Sequence, residues 1–432
     1  MGILAIILFI SIFLLILYGY PVAFTLGGIS ILYAVCFLEP AAFSALPPRI
    51  MGVMSNYVLL SVPLLYIWVL CLKIRTCRKS LETMAMLFGR LHGGLAISVV
   101  LVGAMLAAST GIVGATVITM GLISLPTMLK RGYQAELATG TIAAAGTLGQ
   151  IIPPSVVLVL LGSVLNVSVG DLFAFALVPG LLLVVLYLLY IFIFAWLRPA
   201  FAPSMSVEEI RKFKEKDFFK KVVTAFLLPL VLIVAVLGSI FAGIASPTEA
   251  AAVGALGATV LTITQRKFNL TVLKSVMRET THLTSMVFWI LLGATTFSFV
   301  FRELGGDTYI VDLIEGANLS AFGFLILVML VVFIAGFFID FIEIIFIIVP
   351  IVAPIFAKQY GMNLTWIGVL LALNLQTSFL SPPFGFSLFY LKGVAPPEVT
   401  TAHLYRGIIP FIIIQLIVLA LVAFFPTLMN PW

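Results

Sequence analysis

Long runs of apolar residues recur along the whole chain, and short polar or proline-containing segments separate them. Runs such as 4–17 and 181–196 are apolar on every face, which is typical of a membrane-spanning helix and unlike the alternating pattern of a barrel strand. The predicted spans lie near residues 3–19, 21–38, 54–72, 172–197, 222–243, 248–265, 283–301 and 407–425, with longer apolar stretches at 94–129, 137–165, 319–357 and 364–391. We therefore predict an all-α polytopic membrane protein.

Matched landmarks indicate that the second half of the chain repeats the first. The matched pairs are Pro21 and Pro247, Pro126 and Pro354, Lys130 and Lys358, Pro153-Pro154 and Pro382-Pro383, and Pro179 and Pro410. Each pair is separated by between 226 and 231 residues, and both members occupy the same place in the hydropathy pattern. Five ordered matches at nearly one offset predict an internal structural repeat.

The number of crossings sets the relation between the two repeats. If the stretches 94–129 and 319–357 each enter and leave on one side, each repeat makes about five net spans, and an odd number inverts the second repeat. We predict a first inverted repeat at 1–197, with a hairpin near 94–129 and a broken helix near 137–165. A cytoplasmic amphipathic linker follows at 198–221. The second repeat is predicted at 222–432, with a hairpin near 319–357 and a broken helix near 364–391.

The distribution of basic residues predicts the orientation. Hydrophobic residues make up 62% of the chain and charged residues only 9%, and the net charge is +6. With the N-terminus outside, twenty of the 23 lysines and arginines fall on the cytoplasmic side, where such residues accumulate. The exceptions are Arg49, Arg302 and Lys358. We therefore expect both termini to be periplasmic, and we interpret the positive charge as a topology signal and not as a nucleic-acid surface.

Inverted repeats with broken helices are the usual architecture of secondary transporters, whose sites lie near the midplane where the repeats meet. The first candidate is the tip of the first hairpin, where small and polar residues occupy 107–111. The arms are long enough for a re-entrant pair or for two short full spans. The lack of a charged or aromatic anchor at the tip favours a re-entrant hairpin.

The second candidate is the break around Pro153-Pro154. Proline removes a backbone donor, so we expect the carbonyls of Leu148, Gly149 and Gln150 to be free inside the membrane. Together with the side chains of Thr147, Gln150 and Ser155, these oxygens would suit a hard cation such as Na⁺. The alternative is a simple proline kink, and the recurrence of the feature at Pro382-Pro383 favours an ion or substrate site.

The second half offers two further candidates. At the hairpin tip, Asp340 and Glu343 lie within an apolar run, and an ionisable pair at membrane depth indicates function. The alternative is a longer turn that exposes both carboxylates to water. The second break, 374–385, alternates amides and hydroxyls with apolar residues, and a helix N-terminus beyond its prolines would suit a carboxylate. The alternative is that the same helix end faces a neutral polyol.

Other motifs predict structure or exclude activities. Ser246, Pro247 and Glu249 have the pattern of a helix-capping box. The sequence contains no Walker A, HExxH or Gly-x-Ser-x-Gly motif, so we expect a secondary transporter without cofactor and not an enzyme or an ATP-driven pump.

Four stretches resemble the large membrane subunit of tripartite ATP-independent periplasmic (TRAP) transporters, the DctM-type M subunit. They are GIVGATVITMGLISLPTMLKRGY, AAAGTLGQIIPPSVVLVLLG, GIASPTEAAAVGALGA and LSPPFGFSLFYLKGVAP. The resemblance extends over essentially the whole chain. It implies an elevator-type, Na⁺-coupled importer of organic acids in the bacterial inner membrane, with a small four-helix membrane subunit and a soluble periplasmic binding protein as partners.

The resemblance also implies cation ligands. One site would involve Ser109, Thr110, Gly146, Thr147 and Gly149, and the other Asp340, Gln376, Thr377 and Ser378. We expect the substrate to contact Gln150, Ser155, Glu343, Asn374 and Ser381. The tips Ser109-Thr110-Gly111 and Asp340-Phe341-Ile342-Glu343 depart from the Ser-Gly-Ser and Asp-Gly-Thr patterns of many members, so substrate and ion ligation could differ.

The sequence thus predicts the transport subunit of a symporter for a small carboxylate-bearing solute. One rival is an autonomous anion or proton antiporter of similar architecture that needs no partner. Another is a membrane scaffold without transport, which would have no need for buried carboxylates or mirrored breaks.

Overall fold

The computed structural model describes residues 2–110, 113–205, 218–264 and 268–429, and every regular element in these ranges is a helix. The helices of the first half are α1 (Gly2–Leu17), α2 (Val22–Phe37), α3 (Leu46–Met54), α4 (Ser61–Leu87), α5 (Gly94–Thr110), α6 (Val113–Lys130), α7 (Ala135–Thr147), α8 (Val156–Leu165) and α9 (Val169–Leu197). Those of the second half are α10 (Phe218–Val222), α11 (Leu228–Phe241), α12 (Pro247–Thr264), α13 (Leu270–Glu303), α14 (Gly306–Gly316), α15 (Ala321–Ala335), α16 (Phe341–Ile347), α17 (Val349–Lys358), α18 (Leu364–Leu380), α19 (Phe386–Val394) and α20 (Thr401–Phe424).

Several of these helices are suited to a lipid bilayer. By length and composition, α6, α9, α13 and α20 can each cross a membrane. The pairs Pro40–Met54 with Tyr57–Trp68 and α16 with α17, bent by 43° and 50°, would add two further spans if each pair counts as one. Seven shorter apolar segments of 10–17 residues accompany them in the described ranges. The fold is therefore an all-helical, multi-pass membrane fold, as predicted.

Some predicted boundaries were wrong. The span predicted at 54–72 begins at Ser61 and continues to Leu87, and the span predicted at 283–301 begins at Leu270. Both extensions contain lysine, arginine or glutamate, which end a hydropathy run but have good helix propensity. Hydropathy therefore followed the apolar part of each helix and not the end of the helix.

One group of helices contains α1–α4 with α11–α14. Within it, α12 packs on α4 where Gly254 faces the indole of Trp68, and a Cβ at Gly254 would lie 2.8 Å from that ring. Helix α13 packs on α2 in the same way, because a Cβ at Gly293 would lie 2.5 Å from the carbonyl of Ala23. Small residues at such crossings allow close backbone approach in membranes.

A second group contains α5–α9 with α15–α20. Its tightest crossing joins α7 to α20, where a Cβ at Gly140 would overlap the Gly407 carbonyl and a Cβ at Gly407 would overlap the Glu136 carbonyl. A helix of the first half therefore packs directly, backbone to backbone, against the last helix of the chain.

The element order of the first half recurs in the second half of this group. A helical hairpin (α5 and α6; α15 with α16 and α17) precedes a broken helix (α7 and α8; α18 and α19) and a long helix (α9; α20). Their inverted relation stays a prediction.

The segment after α9 connects two turns. Gly93 donates its N–H to the Ala202 carbonyl (2.9 Å), Met205 donates to Gly89 (2.8 Å), and Gln134 donates to Phe201 (3.0 Å). This part of the predicted linker therefore joins the turn before α5 to the turn before α7. Most of its charged part, 206–217, lies outside the described residues.

The capping box predicted at the start of α12 is confirmed. The Ser246 N–H and hydroxyl both donate to Oε2 of Glu249 (2.8 Å each), and the Glu249 N–H donates to the Ser246 hydroxyl (3.3 Å). Glu249 therefore has the structural role that its sequence context indicated.

Candidate functional site

The first broken helix has a buried polar interruption between α7 and α8. Helix α7 ends at Thr147, a 3₁₀ turn follows at Leu148–Gln150, and α8 begins only at Val156, after the two prolines. Thr147, Gln150 and Ser155 are fully buried. The break therefore places three polar side chains inside the protein, as the sequence predicted.

The expectation of free carbonyls at this break was wrong for two of the three groups. The Leu148 carbonyl accepts the N–H groups of Ile151 (3.2 Å) and Ile152 (3.0 Å), and the Gln150 carbonyl accepts the Ser155 hydroxyl (2.8 Å). The 3₁₀ turn and the serine satisfy the groups that proline would leave unpaired.

The Gln150 side chain, unlike these carbonyls, is not hydrogen-bonded within the described residues. Its amide oxygen and amide nitrogen are both buried, and neither has a hydrogen-bond partner among the described residues. A buried unpaired amide destabilises a protein by about 1–3 kcal/mol. Buried polar groups in proteins are usually hydrogen-bonded, so an amide with both atoms unpaired is an exception.

The second broken helix repeats this feature. Helix α18 ends at Leu380, and α19 begins at Phe386 after the two prolines. Gln376 is fully buried, and both of its amide atoms lack a partner in the described part of the chain. Each break thus contains one glutamine whose entire hydrogen-bonding capacity is unused.

The hydroxyl groups near the breaks share one bonding pattern. Thr147 donates to the Ala144 carbonyl (2.9 Å), Thr377 to Leu373 (2.8 Å), Ser378 to Leu375 (2.8 Å) and Ser381 to Thr377 (2.8 Å). Because each proton is directed to the backbone, the oxygen lone pairs stay available to a cation. Asn374 differs, since its amide nitrogen donates to the Met329 carbonyl on α15 (2.7 Å).

The tip of the second hairpin packs on the second break. A Cβ at Gly336 would overlap the Ser378 hydroxyl, which shows direct contact between tip and break. The rings of Phe341 and Phe379 lie 5.8 Å apart, and those of Phe338 and Phe384 lie 5.4 Å apart. The tip and the break therefore form one continuous structure.

The predicted carboxylate pair begins α16. Oδ1 of Asp340 accepts the N–H of Phe341 (2.7 Å), and Oε2 of Glu343 accepts the N–H of Asp340 (3.2 Å), which completes a capping box. Both residues are half-buried. Asp340 therefore begins α16 at the hairpin tip, whose Gly336 contacts Ser378 in the second break.

The first hairpin packs on the first break. A Cβ at Gly103 would lie 2.6 Å from Ala145, and a Cβ at Gly146 would overlap Val117. Glycine at 146 is thus required for close packing, whatever its role toward an ion. The side chains of Ser109 and Thr110 and all of Gly111 lie outside the described residues, so their roles as ligands stay predictions.

The two halves meet at this region. The 3₁₀ turn that ends in Gln150 packs against α18, which carries Asn374, Gln376, Thr377 and Ser378. Helix α6 packs against α19, where a Cβ at Gly114 would lie 3.0 Å from the ring of Tyr390. The structure thus places the first break against the helix that leads into the second break.

Sequence reasoning did not identify every buried polar group. The Thr141 hydroxyl on α7 is buried without a described partner. The Gln415 amide on α20 is also buried, beside the Tyr187 hydroxyl of α9. Neither residue belongs to a recognisable motif, so no sequence signal marked them. In the described ranges, no three histidine, cysteine, aspartate or glutamate residues are grouped as a metal site would require.

Comparison with known proteins identifies the group to which these features belong. Residues 9–428 match the family described as "Tripartite ATP-independent periplasmic transporter, DctM component". The C4-dicarboxylate TRAP transporter large permease of Pseudomonas aeruginosa is 31% identical over 92% of this chain and 91% of its own. The sialic acid TRAP transporter large permease of Vibrio cholerae is 28% identical over 96% and 95%.

A further relative and one solved structure complete the comparison. The ectoine/5-hydroxyectoine TRAP transporter large permease of Ruegeria pomeroyi is 28% identical over 97% of this chain and 96% of its own. The crystal structure of the YdaH transporter of Alcanivorax borkumensis aligns with a TM-score of 0.64 at 12% identity, covering 98% of this chain and all of that chain. The fold is therefore one that a transporter is known to adopt.

Proposed function

This chain belongs to the DctM component family of the tripartite ATP-independent periplasmic transporters, and from that premise we propose that it is the transport subunit of a Na⁺-coupled importer. The observation that carries the proposal is the pair of buried, unpartnered amides, Gln150 and Gln376, one in each Pro-Pro break. Transport gives these polar groups a partner, because a passing ion or solute supplies the missing bonds.

Sodium is the coupling ion in this proposal. Thr377 and Ser378 direct their protons to the backbone, so their oxygens can face a cation, and Asp340 supplies a negative charge beside the same break. Gln376 completes this second site. The first site would use Ser109, Thr110, Gly146, Thr147 and Gly149.

The solute in this proposal is a small organic acid. Three relatives are named as transporters of C4-dicarboxylate, sialic acid and ectoine. Each of these solutes carries a carboxylate group. The unpaired amide of Gln150 could donate to such a group, with Ser155, Asn374, Ser381 and Glu343 nearby to orient it. If family members share one contact to the carboxylate and differ in the other polar side chains around it, the family can transport different solutes.

We place the subunit in the bacterial inner membrane with both termini periplasmic. A small four-helix membrane subunit and a soluble periplasmic binding protein would complete the assembly, as the tripartite family implies. The second helix group, which contains both hairpins and both broken helices, would move as the elevator against the first.

Sodium itself is the probe for the first experiment. The purified subunit is heated in NaCl and in KCl at equal ionic strength, and we expect a higher apparent Tm in NaCl. Gln376→Leu and Ser378→Ala should each remove that difference. Equal Tm values in both salts for the wild-type protein would contradict sodium coupling.

Copurification tests the tripartite assembly against the autonomous antiporter. The tagged protein is extracted gently from its native membrane, and mass spectrometry identifies what accompanies it. A small membrane protein with four spans, in about equal amount, is the expected result. Reproducible isolation of the chain alone would favour the antiporter.

A further inference from the structure

A cavity of about 500 Å³ lies at the end of α8 that is remote from the first break. Its polar lining includes Arg49, Asn56, Ser163, Asn166, Ser298 and Arg302. A second cavity of about 320 Å³ adjoins it. The two cavities share Val164, Asn166, Arg302 and Pro350, and Asp307 and Lys358 line the second one. Cavities of this size accommodate small organic molecules.

The charges around the two cavities are unequal. Arg49, Arg302 and Lys358 line them, and Asp307 is the single acidic residue among the lining residues. These three basic residues are also the three that the positive-inside pattern places on the periplasmic side. The basic residues predicted at that face are therefore concentrated around one space.

Arg302 is already partnered. Its Nε lies 3.2 Å from Oδ2 of Asp307, and its guanidinium donates to the Pro350 carbonyl at 3.3 Å. This ion pair offsets one positive charge and fixes the side chain between α13 and α17.

Arg49 has no such partner in the described part of the chain. Its guanidinium lies over the ring of Phe299, 4.8 Å from the ring centroid, and Phe299 is buried in α13. A cation–π contact of this kind holds the guanidinium in place without neutralising it. Its N–H groups stay available to a bidentate acceptor, and a carboxylate has the matching geometry.

The cavity lies one helix length from the first break. Arg49 and Ser298 belong to the first helix group, whereas Ser163 and Phe346 belong to the second. Helix α8 has 10 residues and ends at the cavity, so the first break lies about 15 Å away along this helix. A solute in the cavity would therefore be one helix length from Gln150.

We propose that this Arg49 cavity is a periplasmic capture site for the carboxylate of a small organic acid, with Arg49 as its recognition residue. The inference rests on the proposed function, since capture serves import from that side. The site is distinct from the two breaks, and it would hold the solute before the solute reaches them.

A thiol placed in the cavity measures its electrostatic preference without any transport. In a protein with Cys36, Cys71 and Cys77 replaced by serine, Ser298→Cys is modified by an anionic reagent, 2-sulfonatoethyl methanethiosulfonate, and by its cationic trimethylammonium counterpart. Removing Arg49 as Arg49→Gln should lower the ratio of anionic to cationic rates by about tenfold or more, because one full charge is lost nearby. Arg49→Lys should retain the ratio, and Arg90→Gln, a charge removed from an exposed turn elsewhere, should not change it.

Solute protection identifies the ligand class. Succinate should slow the anionic modification in the protein with Arg49 and not in Arg49→Gln, whereas uncharged 1,4-butanediol should have no effect in either. An unchanged rate ratio in Arg49→Gln, or equal protection in both proteins, would overturn the proposal. Protection by phosphatidylglycerol nanodiscs and not by succinate would assign the cavity to a lipid headgroup instead.

This assay separates the capture site from the proposed function. A charge preference that depends on Arg49 supports the capture site even if the Tm is the same in NaCl and KCl. A sodium effect without that preference would retain the importer and reject the capture site.

Discussion

Gly336, at the end of α15, lies directly against Ser378 in the second break, and no space for a methyl group exists between them. Gly336→Ala should therefore displace the hairpin tip from the break and destabilise the protein by about 1–3 kcal/mol, as overpacking does. The expected result is a lower Tm together with a reduced sodium effect, which is the difference between the Tm in NaCl and the Tm in KCl. Gly238→Ala, at a helical position with nothing within 4 Å, is the control and should leave both quantities unchanged or raise the Tm slightly. A fully retained sodium effect in Gly336→Ala would show that contact between tip and break is not needed.

The two unpartnered glutamines permit a test that separates stability from function. Gln150→Leu and Gln376→Leu each remove a buried unpaired amide at similar volume. The free energy of unfolding in KCl should therefore be unchanged or higher by up to about 1–3 kcal/mol, and the Tm should be unchanged or higher with it. Uptake should nevertheless be lost in both variants. Gln376→Leu should also lose the difference in Tm between NaCl and KCl.

Gln415 provides the matched control for these variants. Its amide is equally buried, yet it lies on α20, outside both breaks, where the Tyr187 hydroxyl of α9 is its neighbour. Gln415→Leu removes that contact, so it should leave the Tm unchanged or lower it, and it should keep the sodium effect. Loss of that effect in Gln415→Leu as well would indicate a general consequence of altered packing.

The prolines of the first break can be tested together. In Pro153→Ala with Pro154→Ala, α7 and α8 can join, because the missing N–H groups are restored. Uptake should fall by at least about tenfold in proteoliposomes, since that change corresponds to only about 1.4 kcal/mol in the transport barrier. Membrane insertion, measured as the amount of extracted folded protein, should be normal. Wild-type uptake would reject the break as a site.

The capping role of Asp340 makes a charge-specific test possible. Asparagine caps helices about as well as aspartate, so Asp340→Asn should keep α16 and the Tm in KCl while it removes the charge. We expect the sodium effect to disappear. Glu249→Gln, at the capping box of α12, is the control and should transport normally. Equal sodium effects in Asp340→Asn and the wild type would limit Asp340 to its structural role.

The ion pair beside the Arg49 cavity predicts a dependence on pH. Burial raises the pKa of the Asp307 carboxyl above its ordinary value, while the charges of Arg302 and Lys358 oppose that rise. As the pH falls through this raised pKa, Asp307 loses its charge and Arg302 is freed, so the ratio of anionic to cationic modification rates at Ser298→Cys should increase. The ratio is the quantity to measure, because acidification lowers the thiolate fraction and slows both reagents equally. Asp307→Asn should already show the higher ratio at neutral pH and little further change on acidification. A ratio that declines with acidification in the protein with Asp307 would contradict this account.

The sequence predicted much of this fold because its signals are local. The Pro-Pro pairs interrupt the helices where expected, and the Ser246 capping box forms as its spacing indicated. The start of α13 at Leu270 was missed because its first turns are polar, and hydropathy detects lipid contact and not helix propensity. The same limitation applies to the end of α4 at Leu87.

The site was predicted less completely, for physical reasons. Gln150 and Gln376 were both candidates, but the sequence could not show that their amides lack partners, since that depends on every neighbouring helix. The Leu148 carbonyl was expected to be free, and a 3₁₀ turn bonds it. The Arg49 cavity was not predicted at all, because Arg49, Asn166 and Arg302 are brought together only by packing.

The backbone contact between Gly140 and Gly407 has a consequence for biosynthesis. The two glycines are 267 residues apart, so at about 5–20 residues per second the ribosome needs about 15–50 s to make α20 after α7 has emerged. During that interval the glycine face of α7 has no permanent neighbour at this crossing. Chains that stop before α20 would keep this face uncovered, which gives membrane proteases a physical feature by which to distinguish unfinished molecules from complete ones.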